Sequence, residues 1–216
     1  MLARIRRALG RADTATPPSS YLASQFQSQA IRPELVNQFC DELAKVGGHP
    51  TVAGSSLELK NCLERIFLRE KPALVAVSDV VATAHEELLG INGPRFVVAP
   101  PRHELLSVDI GITEADYAIA DTGTLVLISG GERHRLLSLL PAIHICILDS
   151  KRIFPNLSAL LRHLHENVYL DESLPQATTF ITGPSRTADI EHVLTTGVHG
   201  PGRVEVLLTV PDERGN

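Results

Sequence analysis

Several features common in protein chains are scarce or missing here. Tryptophan is absent, methionine occurs once, and aromatic residues make up 4% of the 216 residues. There are three cysteines, Cys40, Cys62 and Cys146, and no Cys-x-x-Cys pair. An odd, scattered set excludes a disulfide framework and offers no basis for a structural zinc or an iron–sulfur cluster bound by this chain. Cys146 lies inside the apolar run Ile143–Leu148 and reads as a small buried hydrophobe. No run approaches the roughly 20 apolar residues that span a bilayer, and no apolar signal-peptide core is present. Twenty basic against twenty-five acidic residues give a net charge of -5. That balance argues against a nucleic-acid binder that works by general phosphate attraction. A reduced, cytoplasmic location is the expectation.

What is present is a globular composition, 44% apolar, long enough for a sizeable core. Residues 1–10 form a short basic amphipathic segment. Leu2, Ile5 and Leu9 share one helical face, and Arg4, Arg6, Arg7 and Arg11 surround it. Residues 12–30 are rich in Ala, Ser, Thr, Pro and Gln and read as a linker. The helix read over residues 1–10 is too short to be stable alone, so the arm over residues 1–30 is expected to dock on its own domain, a partner or a second copy of the chain.

From residue 31 the pattern becomes regular. Helices are predicted over Glu34–Val46, Leu57–Arg69, Val80–Leu89, Arg135–Leu140, Phe154–Asn167 and Thr187–Leu194. Strands are predicted over Thr51–Ala53, Ala73–Val77, Phe96–Ala99, Tyr117–Ala120, Thr124–Ile128, Ile143–Leu148, Thr178–Thr182 and Val204–Val210. Such alternation points to an α/β fold with a layered, largely parallel sheet flanked by helices. The continuous apolar run Ile143–Leu148 fits a strand covered on both faces.

Two polar, glycine-bearing segments stand out as candidate ligand loops. In Asp121-Thr-Gly-Thr, Gly123 lets backbone approach a ligand and Thr122 and Thr124 flank it. Asp121 is a candidate base or nucleophile, although Asp-Thr-Gly is equally good hairpin chemistry. In Gly183-Pro-Ser-Arg-Thr-Ala-Asp, Ser185 or Thr187 at a helix start and Arg186 as a bidentate clamp would suit an anion. Plain capping is the alternative, and Asp189 in that first turn would oppose an anion. His199 and Gly200, in Gly197-Val-His-Gly-Pro-Gly, are a candidate acid–base group and loop position, or a loop lock. The glycine spacing there is not a dinucleotide fingerprint. Glu114 and Asp116 would share a face if extended, as a pair able to split its pKa values, but solvated loop acids are the commoner case. His144 reads as a core histidine bonded to backbone. His163 and His165 are two apart on a helix and do not face each other, so they make a poor metal pair.

Four blocks in order carry a family resemblance: Asp109-Ile-Gly-Ile-Thr-Glu-Ala-Asp-Tyr-Ala-Ile-Ala-Asp-Thr-Gly-Thr-Leu-Val-Leu, Arg135-Leu-Leu-Ser-Leu-Leu-Pro-Ala-Ile-His-Ile, Gly183-Pro-Ser-Arg-Thr-Ala-Asp-Ile-Glu and Gly197-Val-His-Gly-Pro-Gly. The chain resembles the LUD domain, read here over residues 31–216, and more narrowly the lactate-utilisation protein C family; the similarity is clearest over Val75–Thr209 and continues more weakly to Ala3–Leu9. The resemblance implies a fold like that of the NagB/RpiA/CoA-transferase superfamily, with ligands over loops at the carboxyl ends of strands. It implies a component of a system that oxidises L-lactate to pyruvate beside two iron–sulfur subunits. The clusters would then sit in those partners, with no cofactor or metal in this chain, which would bind a small anionic or nucleotide-like ligand. A free-standing CoA or acyl transferase or sugar-phosphate isomerase, with Asp121 as nucleophile or base, is the alternative, and a non-catalytic sensor is a third. Many members have Glu where this chain has Asp121.

Overall fold

The computed structural model describes residues 32–129, 132–167, 175–188, 194–197 and 199–210. The basic arm over residues 1–30 lies outside the described residues. The first helix, α1 (Pro33–Lys45), starts on a proline, whose fixed φ suits a first turn, and buries Leu35, Val36, Phe39 and Leu43 on one face. Strand β1 (His49–Ala53) follows after Gly47, which takes a positive φ. Helix α2 (Ser56–Glu70) is capped by Ser55, whose hydroxyl accepts from the Glu58 N–H. It buries Leu59, Cys62, Leu63, Ile66 and Phe67. Strand β2 (Leu74–Val77), helix α3 (Asp79–Ala84), strand β3 (Arg95–Val98) and strand β4 (Ile110–Glu114) come next. The helix predicted over Val80–Leu89 therefore divides, with Glu86–Gly90 as a separate 3-10 turn.

The chain then leaves the first sheet. Strands β5 (Tyr117–Ile119) and β6 (Thr124–Ser129) form an antiparallel hairpin. Helix α4 (Glu132–Leu137) leads back to strand β7 (Ile143–Asp149). Strand β8 (Ile153–Phe154), helix α5 (Leu157–Asn167) and strand β9 (Ala177–Ile181) follow. A short antiparallel pair, β10 (Arg186–Ala188) and β11 (Leu194–Thr196), precedes the last strand, β12 (Arg203–Thr209).

Six strands form a parallel sheet in the order β1-β12-β7-β4-β2-β3. A second sheet has the order β8-β5-β6-β9. The expected layered, largely parallel α/β architecture is present. On one face of the large sheet, Ile110, Ile112, Ile145, Ile147 and Leu207 pack with the buried stripe of α2. On the other face, Cys146, Leu148, Val204, Val206 and Leu208 pack with α1 and with Ala118, Leu125 and Leu127 of the small sheet. The outer face of the small sheet carries Tyr117, Ile119 and Val126, which α5 covers with Leu160 and Leu164.

Further elements differ from the sequence reading, and two of them bear on the site. The sequence reading has no strand over β4, because Gly111, its second residue, breaks the apolar run. A Cβ there would lie 2.2 Å from the Leu137 carbonyl oxygen, so glycine is what lets α4 close over the sheet. The helix expected over Thr187–Leu194 is not formed at either end, since both ends pair as β10 and β11. The β-branched residues Thr187, Thr195 and Thr196 suit that pairing.

Among the described residues, no helix is long and apolar enough to cross a membrane. Glu205, 5% exposed at the start of β12, accepts from Arg69 Nη2 and Arg203 Nε at 2.6 Å each. Glu70 completes the ring by pairing with both arginines. The network ties the end of α2 to the sheet. Removing the buried carboxylate leaves two guanidinium groups facing each other, so Glu205→Ala should lower stability by about 3 kcal/mol. Urea unfolding of the variant beside the unaltered protein measures this, and an unchanged midpoint would contradict it.

Candidate functional site

The two sequence motifs meet around the last turns of α1, and what joins them is packing. The Asp121 turn is a 3-10 segment, Ala120–Thr122, closed by Gly123 in the left-handed region. A Cβ on Gly123 would lie 2.2 Å from the Leu43 backbone nitrogen and 2.6 Å from its Cα. Glycine is therefore required so that α1 can lie on the turn, and the close approach that the sequence suggested is made by a helix of the same chain. Asp121 itself is exposed, and its N–H donates to the Pro155 carbonyl. The hydroxyls of Thr122, Thr124 and Thr182 run in a chain at 2.8 Å steps.

The second motif packs one turn further along. Gly183 has a positive φ, and a Cβ there would lie 2.8 Å from the Val46 carbonyl oxygen. Arg186 Nη2 donates to that same carbonyl at 2.7 Å. The guanidinium thus caps the carboxyl end of α1, where the helix dipole favours a cation. That bond commits to the helix end one end of the guanidinium expected to clamp an anion. Ser185 and Thr187 do not start a helix, because the chain enters β10 at Arg186. The Ser185 N–H donates to the Pro201 carbonyl, and the Ser185 carbonyl accepts from the Gly197 N–H. A Cβ on Gly200 would lie 3.3 Å from Ser185 Cβ. These contacts lace the 183–186 and 197–202 segments together. His199 is exposed beside them. Asp189 and the Thr187 side chain lie outside the described residues. The lacing sits at the amino ends of β1 and β12, since Gly47-Gly48 and Pro201-Gly202 run directly into those strands. Parallel sheets place ligands at the opposite edge.

At that opposite, carboxyl edge the structure gathers groups that the sequence reading left as loop acids. Glu114 ends β4, and its Oε1 lies 3.3 Å from Arg152 Nη1. Both side chains are largely buried, 17% and 20% exposed. Asp116, two residues on, is partly buried, and its Oδ2 accepts from the Ile128 N–H of β6. Burial pushes its carboxyl up to about 7, against the pull of the Ile128 hydrogen bond and of the Arg152 charge, and Glu114 pushes it further. Glu114 is thus held beside a guanidinium, while burial lets Asp116 keep its proton to near neutrality. Ser150 immediately follows β7, and Ser129 immediately follows Ile128. Each hydroxyl is buried with no hydrogen-bond partner among the described residues.

Deeper in the same face, Thr113 Oγ1 and His144 Nε2 share a hydrogen bond of 2.8 Å. The expected backbone partner of His144 is thus a side chain on the adjacent strand. Full burial lowers the His144 pKa to about 4, so the ring stays neutral. Burial raises the Cys146 thiol well above its usual range, which makes it inert. His163 instead packs against the Tyr117 and Phe154 rings, with centroids 5.3 and 4.9 Å away. Among the described residues, no three His, Cys, Asp or Glu side chains are grouped to hold a metal ion.

The LUD domain family model matches residues 36–209. A lactate utilization protein C of Exiguobacterium is 30% identical over 96% of this chain and 93% of its own length. This chain belongs to the LUD domain family, in its lactate utilization protein C branch. A lactate utilization protein C of Halalkalibacterium halodurans is 48% identical, but over 44% of this chain and 41% of that protein. That match and one from Bacillus mycoides, 39% identical over 44% of the relative, each span less than half of those relatives. The crystal structure of a DUF162 family protein from Deinococcus radiodurans aligns with a TM-score of 0.63 and 22% identity, over 82% of this chain and 98% of that one. It shares the fold.

Two outcomes follow from the LUD-domain geometry. Gly123→Ala should destabilise the protein by about 2 kcal/mol or more, since the turn is covered by α1 backbone that a methyl group would displace. Asp121→Asn, on the exposed side of the same turn, should change stability by less than about 0.5 kcal/mol. Thermal unfolding of the two variants checks both. The second outcome concerns pH. The folded pKa of Asp116 is raised, so ionisation opposes the fold, and stability is lost as pH climbs from about 4 through about 7. Asp116→Asn cannot ionise, so its stability relative to the unaltered protein should rise across that window in urea titrations. A constant difference would show that Asp116 is already ionised in the fold.

Proposed function

We propose that this protein is a component of a lactate-utilisation system in the cytoplasm, working beside iron–sulfur subunits that carry the electrons from L-lactate toward pyruvate. The observation that carries this reading is the kinship over 93% of the Exiguobacterium protein, whose name is lactate utilization protein C. The chain's own chemistry agrees with a non-redox part. Its described cysteines are scattered, and Cys62 and Cys146 are buried. An iron–sulfur cluster needs several thiolates in one place. Electron transfer would therefore fall to partners.

Within that system the chain's task would be to hold a small anionic ligand and to dock. The carboxyl-edge groups Glu114, Asp116, Arg152 and Ser150 suit the first task better than the Asp121 and Ser185–Arg186 segments, which are occupied by the packing of α1. The basic arm over residues 1–30, which lies outside the described residues, suits the second, toward a partner or a second copy.

Gentle anaerobic purification of the tagged protein from lactate-grown source cells, assayed for lactate-dependent dye reduction, tests the reading. Iron–sulfur proteins and activity should co-purify, and both should be reduced when Leu2 and Leu9 are changed to Asp. Purification of the chain alone, together with normal growth on lactate after its deletion, would overturn the proposal.

A further inference from the structure

Among the described residues, the large sheet ends on β1 and β3 and the small sheet on β8 and β9. A sheet edge presents unpaired backbone N–H and C=O groups, and proteins guard such edges with proline, charge or shortness. Strand β1 carries Pro50 next to His49. Strand β3 opens on Arg95 and runs out into Pro100 and Pro101. Strand β8 has two residues. Strand β9, Ala177-Thr-Thr-Phe-Ile181, has none of these guards: it is five residues long, uncharged and free of proline and glycine. Thr178, Thr179 and Ile181 are β-branched and Phe180 is aromatic, the residue types that favour extended pairing.

The face beside this edge is apolar. Strand β8 is parallel to β5, and β6 is antiparallel to both β5 and β9, so β8 and β9 run the same way. Helix α5 is the crossover between them and lies on the outer face of the small sheet. Its buried line is Leu160 and Leu164. With about 3.6 residues per turn, His163 and Leu161 sit about 80° to either side of that line. His163 packs on Phe154 of β8 and Tyr117 of β5. Leu161, with Leu157 one turn before it, therefore looks the other way, toward β6 and β9. Phe180 stands on the same outer face, opposite Val126 of β6. Leu157, Leu161 and Phe180 are 45%, 48% and 45% exposed. The helix thus seals the β8 side of the small sheet and leaves apolar side chains open on the β9 side.

We propose that this edge is the interface of a homodimer, in which β9 pairs antiparallel with β9 of a second copy about a two-fold axis at Thr179 and joins the two small sheets into one. The strand is its own complement in that register, the one that keeps all five residues paired. Thr179 meets Thr179, Thr178 meets Phe180, and Ala177 meets Ile181. Threonine pairs and aromatic–β-branched pairs are favourable across antiparallel strands, and no like charges are brought together. The two Phe180 side chains become diagonal neighbours at about 7–8 Å, within reach of aromatic rings. They stand at the centre of the interface, where buried aromatics dominate binding. Both edges are used up at once, so the assembly closes at two copies. The basic arm over residues 1–30 is not matched to this place. Strand β9 offers it no acid, and α5 presents Arg162 and His165 on the exposed side next to Leu161.

Analytical ultracentrifugation of the full chain across the micromolar range should show a reversible dimer. Phe180→Lys puts a charged guard on the edge and removes the central ring, and should raise the dissociation constant at least about thirtyfold. Leu106→Lys, at a 79% exposed position beside the large sheet, should leave it unchanged. Circular dichroism checks that both variants fold. Thr179→Cys gives a second readout. Directly opposite residues lie about 4.5–5.5 Å apart at Cα, within the span of a disulfide. Mild oxidation should therefore link that variant into covalent dimers, while Leu106→Cys, the more exposed position, should not link. A chain that stays single across the concentration range, a dimer that folded Phe180→Lys leaves intact, or a Thr179→Cys protein that links no better than Leu106→Cys would each sink the idea. A dimer lost instead on changing Leu2 and Leu9 to Asp would belong to the arm.

Discussion

Everything in this structure is arranged around one strand that has water on neither face. Strand β7 lies between β12 and β4 and sends its residues alternately into two cores. Ile145 and Ile147 enter the core built on α2, while His144, Cys146 and Leu148 enter the core shared with α1 and the small sheet. A strand buried on both sides must be roofed twice. The roof on one side is a helix. On the other it is a helix together with a second, mixed sheet, and that sheet needs its own cover, α5. The layering is thus a chain of consequences from one apolar run.

The second roof explains the glycines. For α1 to lie over both the large sheet and the Asp121 turn, its backbone must come within reach of Gly123, and the turn before β10 must tuck under Val46. Any side chain at these positions would pry the helix off the core that Phe39 and Leu43 help to fill. Arg186 then closes the end of the helix with a charged cap. Residues that look like a ligand cradle in one dimension are the means by which one helix is seated in three.

The polar groups at the carboxyl edge follow a different logic. They are drawn into a half-buried place by strand ends whose positions are set by the apolar layers. Glu114 is paired with Arg152, whereas at Asp116 the backbone amides of Ile128 and of Asp116 itself and the Arg152 charge pull against burial. Burial is the larger effect at Asp116, and it raises that carboxyl to about 7.

The α/β class, the strong helices α1 and α2, the doubly covered strand β7 and the kinship were all legible in the chain. Each rests on periodicity or motif spacing, which are properties of neighbours along the sequence. Strand β4 was not legible, since the glycine that admits α4 also interrupts its apolar run. The β10–β11 pair read as a helix because the propensity of a short threonine-bearing segment is weak and pairing decides it. The candidate site was legible only as a list of polar residues. Glu114, Asp116 and Arg152 carry no local mark that sets them above Asp121 or Arg186. Sequence by itself determined which segments must be buried and how they alternate. Only the tertiary structure decided which polar residues are covered by a helix and which gather at the carboxyl edge of the sheet, because that depends on which end of the sheet each loop reaches and on what packs over it.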